Sequence, residues 1–162
     1  MAAQMNPSTR FYWTLAILLS AIPAVAVPVR LRCEYLENPL GIDSDSPRLS
    51  WQNDSTERHW RQSAYQVLVA SNQDKLRAND ADVWDSGRIE SSDSVGIPYR
   101  GPALESRRRY YWKVRVWDAS SHLSESQDAA WWEMGLLRPA DWKANWIHWS
   151  NPDEALDLAA IR

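Results

Sequence analysis

One cysteine, five glycines and three histidines are all that this 162-residue chain has of those types. Each scarcity removes a class of function. Cys33 stands alone, so the chain can close no disulfide within itself. Val29, Leu31, Cys33 and Tyr35 alternate with Arg30, Arg32 and Glu34, which makes Cys33 a small hydrophobe on a first strand rather than a reactive thiol. So few glycines leave no phosphate-cradling loop. His59, His122 and His148 are scattered without metal-ligand spacing, and no serine lies in a nucleophile elbow. Asp43 and Asp45 lack the rest of a calcium loop and read as turn residues. No metal and no cofactor is therefore expected. A net charge of −3 argues against a general nucleic-acid surface.

Long apolar runs are also missing. The one candidate, Phe11 to Ile22, follows the single charge Arg10 and is broken by Pro23. It is shorter than the ~20 residues of a membrane span. Ala24-Val25-Ala26 follows as an A-x-A cleavage site, so residues 1–26 read as a secretory signal peptide. The expectation is an exported, extracellular or periplasmic chain that begins at Val27 and has no membrane contact once the leader is removed.

Tryptophan, by contrast, is abundant, with eleven copies. Its large ring and polar N–H suit thick β cores, interdomain contacts and sugar-stacking surfaces. The organising stretch is Arg108 to Asp118. Tyr110, Trp112, Val114 and Val116 fall on one face, and Tyr111, Lys113, Arg115 and Trp117 on the other. Strict period two with aromatic and β-branched residues predicts a half-buried strand. Each of its inward side chains should contribute roughly 1.5–3 kcal/mol by burial.

Six further strands are read around it. They are Val29 to Tyr35; Arg48 to Gln52, with Leu49 and Trp51 inward; Ser63 to Ser71, with Tyr65, Val67 and Val69 inward; Val83 to Ile89, weakened by Gly87; Ser94 to Tyr99, pushed to an edge or a bend by Pro98; and Ala130 to Leu137. Lys75 to Asp80 has room for one helical turn, and Ala119 to Asp128 reads as loop. In the last strand Trp132 takes the core face, with Met134 and Leu136. Trp131 on the opposite face is left exposed or covered from outside the sandwich. Asn53-Asp54-Ser55 is a glycosylation sequon, relevant only in a eukaryotic secretory host.

Seven short strands with no amphipathic helix predict an all-β fold, a β-sandwich. Leu104 and Tyr110 are six apart, and Tyr110 opens the long strand. This resembles the tyrosine corner, whose hydroxyl bonds to backbone a few residues upstream. Trp112 stands where a disulfide-bearing immunoglobulin domain has its cysteine. With Leu49, Trp51 and the Tyr65-Val67-Val69 face, the pattern resembles an immunoglobulin-like, fibronectin type III-like sandwich. The expected structural core is Leu49, Trp51, Tyr65, Leu104, Tyr110, Trp112 and Trp132.

No catalytic constellation is visible. Glycosidases face two carboxyl groups across the scissile bond. Here Asp82 and Asp85 flank Trp84 as strand-edge residues, and Arg107-Arg108-Arg109 reads as a solvated strand entry. The catalytic set is accordingly empty. The candidates for interdomain or sugar contact are Trp117, Trp131, Trp142 and Trp146.

Several blocks in one order carry a more specific resemblance. They are Leu31-Arg32-Cys33-Glu34-Tyr35, Asn38-Pro39-Leu40-Gly41-Ile42-Asp43, Pro47-Arg48-Leu49-Ser50-Trp51, Trp84-Asp85-Ser86-Gly87, the run from Tyr110 to Asp118, Trp132-Glu133-Met134-Gly135 and Asp141-Trp142-Lys143-Ala144. Over about residues 29 to 149 the chain resembles the N-terminal module of bacterial-type α-L-rhamnosidases. The resemblance implies membership of large multidomain enzymes that release terminal L-rhamnose with inversion. It also implies catalytic carboxylates in a helical barrel downstream, so no position here inherits a catalytic role. The expected division is a leader at 1–26, a sandwich at 27–137 and the start of a following β domain at 138–162, incomplete. The chain then reads as a fragment of a rhamnosidase whose partners are its downstream domains. Two other functions are distinguished by what lies downstream and by assay: a free-standing carbohydrate-binding or adhesion module using its Trp side chains, and a small hydrolase.

Overall fold

The computed structural model describes residues 26–145. Nearly all of the expected leader, and Trp146 with the residues after it, lie outside them. The elements in chain order are β1 (Val27–Cys33), β2 (Arg48–Asp54), β3 (Gln62–Ala70), α1 (Gln73–Arg77), β4 (Trp84–Asp85), β5 (Ile97–Pro98), β6 (Arg109–Asp118), β7 (Leu123–Glu125) and β8 (Ala130–Glu133). One sheet has the order β1-β2-β5. The other runs β4-β3-β6-β7, and β8 also pairs with β6. All of these pairings are antiparallel.

The core lies between the two sheets, because each strand alternates. Leu31 and Cys33 of β1, Leu49 and Trp51 of β2 and Ile97 of β5 face Tyr65, Val67 and Val69 of β3. Tyr110, Trp112, Val114 and Val116 of β6 and Trp132 of β8 complete the facing layer. Leu49, Trp112, Val114, Val116 and Trp132 have no exposed surface. The outer face of β3 is buried as well. Leu68 and Ala70 pack under Leu76 of α1, a helix started by Asn72, whose Oδ1 accepts from the Lys75 amide at 2.9 Å.

The sandwich has eight strands among the described residues, where the sequence predicts seven. The extra one, β7, lies in the stretch read as loop. Leu-Ser-Glu is too short to show a period, and its strand character comes from partners. Leu123, Ser124 and Glu125 register against Trp117, Val116 and Arg115. The first strand is displaced from its expected bounds. Arg30 has φ +50° at a register shift, so Pro28 rather than Val29 is buried. The strand then stops at Cys33. Glu34 and Tyr35, at φ +47° and +64°, make a tight turn closed by reciprocal Cys33–Leu36 amide bonds of 2.9 and 3.0 Å. The fourth strand shrinks to Trp84–Asp85, because Gly87 turns at φ +64° before Ile89 rejoins Tyr65. Pro98 lies on an edge strand, β5. The last strand ends at Glu133, beyond which Met134 bridges in parallel to Ile42.

Candidate functional site

Tyr110 opens β6 with its ring buried and stacked on Trp132 at 5.5 Å and 27°. Its hydroxyl oxygen accepts the Glu105 amide proton at 2.9 Å, while Leu104 is buried beside it. The corner motif is therefore formed. A second tyrosine does similar work. Tyr99 is buried between Trp84 and Trp132, with edge contacts at 5.0 and 6.1 Å. Its hydroxyl donates to the Pro102 carbonyl at 2.9 Å, and burial pushes its pKa up to about 12. Nothing local in the sequence marks this role, since Tyr99 reads there only as a strand end. The expected core residues are placed as follows: Leu49, Trp51, Tyr65, Leu104, Tyr110, Trp112 and Trp132 all lie in one buried cluster.

At the opposite end of the sheet, Gln62 is an amide hub that sequence reasoning missed. Its Oε1 accepts from Trp51 Nε1 at 3.1 Å and Asn53 Nδ2 at 3.0 Å. Its Nε2 donates to the Ser91 and Asp93 carbonyls at 3.1 and 2.8 Å. The sequon residue Asn53 is thus engaged in the interior rather than presented on a loop.

The outward tryptophans do not form one site. Trp131 pairs across the strands with Tyr111, six residues from Trp117 on β6, which separates the two by roughly 20 Å along the strand. Both are half-buried, and each lies against an arginine. The Arg109 guanidinium sits 4.0 Å from the Trp131 ring centroid, and Arg88 sits 4.9 Å from that of Trp117. Arg109 is held in place by Glu133 at 2.9 and 3.2 Å. The cover thus comes from within the sandwich, where alternation alone leaves an exposed indole or an outside partner. Trp142 is 57% exposed. Trp146 lies outside the described residues.

The outer face of β6 holds another surprise. Lys113 reads as a solvent-face charge, yet it is only 7% exposed. Its ammonium donates to Glu125 and to Asn79 Oδ1, each at 2.7 Å. Arg115 shares both partners, its guanidinium donating to Asn79 at 2.6 Å and to the other Glu125 oxygen. A buried ammonium needs such partners, and both come from connections between the predicted strands.

Several carboxylates are engaged in structural pairs. Glu34 holds the Arg48 amide and guanidinium, and Glu133 holds Arg109. Asp118 accepts the Ser120 and His122 amides. Asp82 accepts from the Ser71 amide and hydroxyl and from Lys75. Burial of Asp82 opposes ionisation, but those donors outweigh it and bring the carboxyl down to about 2. Glu125 and Asp118 are likewise held below their usual range, burial again being outweighed by their donors. Glu34 is lowered chiefly by the Arg48 side chain, and Asp141 chiefly by the Ser106 hydroxyl. A glycosidase acid requires the opposite, a carboxyl that keeps its proton near neutral pH. Cys33 is equally unreactive: burial, then the neighbouring Glu34 charge, raises its thiol to about 12. No group of three His, Cys, Asp or Glu side chains that could hold a metal occurs among the described residues.

Fold and side-chain roles together define an immunoglobulin-like sandwich domain whose ionised groups brace its strands and loops. The chain belongs to the family described as the Rha78A-like, N-terminal immunoglobulin domain, whose model matches residues 28–138. It is 52% identical over 114 residues to an α-L-rhamnosidase of Streptomyces avermitilis, a match covering 70% of this chain and 11% of that protein. An α-L-rhamnosidase of Formosa agariphila is 44% identical over 115 residues, again 70% of this chain and 12% of its own length. Among solved structures, the Streptomyces avermitilis α-L-rhamnosidase complexed with L-rhamnose superposes with a TM-score of 0.72 at 47% identity, covering 76% of this chain and 12% of that one. The Aspergillus terreus α-L-rhamnosidase gives 0.60 at 31% identity, over 74% and 13%. The chain thus spans about a tenth of the length of the curated relatives it matches.

Proposed function

We propose that this domain is a non-catalytic, N-terminal accessory unit of an α-L-rhamnosidase, scaffolding domains that hydrolyse terminal L-rhamnose. The observation that carries this is the match itself, an N-terminal immunoglobulin domain equivalent to 11% of a rhamnosidase. The lowered carboxyl pKa values support it, because they suit bracing rather than proton donation. In this reading residues 27–137 are the sandwich, residues 138–162 begin the next β domain, and downstream domains are the partners. Trp142 and Trp146 are then interdomain contacts. Residues 1–26 direct export, on the strength of Arg10, the apolar run and Ala24-Val25-Ala26.

The purified chain should not turn over an aryl rhamnoside. Sustained turnover abolished by a point substitution within residues 26–145 would overturn the accessory role. N-terminal sequencing of exported protein should begin at Val27, and an intact Met1 would count against the leader. A carbohydrate-binding module is the competing function, favoured by the exposure of Trp142. It requires a change in tryptophan fluorescence on titration with rhamnose, which the accessory role does not.

A further inference from the structure

We infer that Asp141 latches the segment leaving the sandwich onto the tyrosine-corner loop, so that residues 135–142 form a fixed arm and residues 143–145 leave it in a set direction. After β8 the last sheet-like contacts are the parallel bridge of Met134 to Ile42 and the Gly135 amide donating to the Ile42 carbonyl at 2.7 Å, and a segment beyond such an end would ordinarily be loose. Here the loop Leu104–Arg108 replaces the missing strand. The Arg107 amide donates to the Met134 and Gly135 carbonyls at 3.2 and 3.1 Å. The Leu137 amide donates to Ser106 Oγ at 2.9 Å, and that hydroxyl donates onward to Asp141 Oδ2. The same carboxylate oxygen accepts the Arg138 amide at 3.1 Å. The Arg107 guanidinium donates to the Asp141 carbonyl at 2.7 Å.

Asp141 itself closes a short 3-10 turn, Pro139–Asp141, by donating its amide to the Arg138 carbonyl at 2.9 Å. Pro139 fixes the entry to that turn. Two segments more than thirty residues apart are therefore joined by the Asp141 carboxylate on the Ser106 hydroxyl, with the Leu137 amide and the Arg107 guanidinium adding a bond on either side. Because Tyr110 fixes the Glu105 amide, the loop that receives the latch is anchored in the core. The fixed arm is a property of this chain and holds whether or not a rhamnosidase domain follows it.

Amide hydrogen exchange on the full chain tests the latch, with the Val67 and Val114 amides as controls for the intact sandwich. Asp141→Ala should speed exchange at Leu137, Arg138 and Trp142 by tenfold or more and leave the controls unchanged. Asp141→Asn keeps an acceptor oxygen in place and should retain most of the protection. Ser106→Ala removes both the donor to Asp141 and the acceptor for Leu137, so it should reproduce the effect of Asp141→Ala. It serves as the test if Asp141→Ala does not fold. Exchange at Arg138 and Trp142 that is unchanged in the alanine variants, or no protection there in the parent, overturns the latch.

Discussion

Replacing Tyr110 with phenylalanine removes one oxygen and leaves almost everything else in place. The ring stays stacked on Trp132 at 5.5 Å and stays buried, so no sizeable cavity opens. What is lost is the acceptor for the Glu105 amide at 2.9 Å. A fully buried orphan N–H would cost up to ~3 kcal/mol, whereas a typical hydrogen bond is worth ~1 kcal/mol net. Glu105 is itself exposed, so water can reach its amide in the variant, and the cost should fall near the lower end, about 1–1.5 kcal/mol. At ~2–4 °C per kcal/mol for a chain of this size, the melting point should drop by roughly 3–5 °C. With a urea slope of ~1–3 kcal/mol/M, the midpoint should fall by about 0.5–1 M without a change in slope. Exchange of the Glu105 amide should accelerate at the same time. A midpoint within error of the parent would mean that the corner bond contributes nothing and that the loop is held only by its other contacts.

Gln62→Leu should cost about 2–4 kcal/mol, because it strands the buried Trp51 indole N–H and removes partners of the Ser91 and Asp93 carbonyls; a denaturant melt unchanged from the parent would contradict the hub. Gly101→Ala should cost about 1–3 kcal/mol by overpacking, since a Cβ there would meet the Tyr99 ring and hydroxyl and lie 2.7 Å from Trp84 Cβ; an undiminished melting point would show that the Tyr99 ring yields freely. Asp82→Asn addresses pH: the carboxyl is lowered from 3.8 to about 2, so its contribution is complete above about pH 4 and is lost as pH falls towards 2. The variant should therefore melt below the parent at pH 7, with a gap that closes between pH 4 and pH 2, and a gap independent of pH would exclude the ionised pair as the cause.

Much of the sandwich is legible because alternation is a local signal. Tyr110 to Trp117 announces its inward face without reference to any other strand, and Tyr65 to Val69 does the same. The corner is legible from spacing, since a tyrosine opening a long strand can reach only the few residues before it. What is illegible depends on partners far along the chain. Strand β7 exists because β6 offers a free edge, and Lys113 is buried because Asn79 and Glu125 arrive beside it from segments without periodicity. Gly101 matters for the approach of Tyr99 and Trp84, and no glycine pattern encodes that. The bulge at Arg30 shifts which residues of β1 face inward, a choice that the regular alternation around Cys33 conceals.

The outward tryptophans follow the same logic and change where a truncation should be made. Alternation identifies Trp117 and Trp131 as apolar groups on an outer face, and together with Trp142, Trp146 and Trp149 in the tail they predict poor solubility or self-association, relieved by ending the chain after about Leu137. In the folded chain each of these indoles lies against an arginine, which reduces the apolar surface left open on the sheet. Exposed apolar side chains occur instead at Trp142, Leu40, Leu36 and Tyr35, at 57, 67, 59 and 53%. Trimming after Leu137 would remove Trp142, but it would also remove Asp141, the partner of Ser106, Arg107 and Arg138. The two effects separate experimentally. A chain ending at residue 145 keeps Asp141 and loses Trp146 and Trp149, whereas a chain ending at Leu137 loses all of them. The shorter chain should have the lower urea midpoint and faster exchange at the Arg107 amide. Sedimentation should show both trimmed chains less associated than the parent. Equal midpoints for the two would refute a structural role for the exit segment and leave Leu137 as the true end of the folded domain.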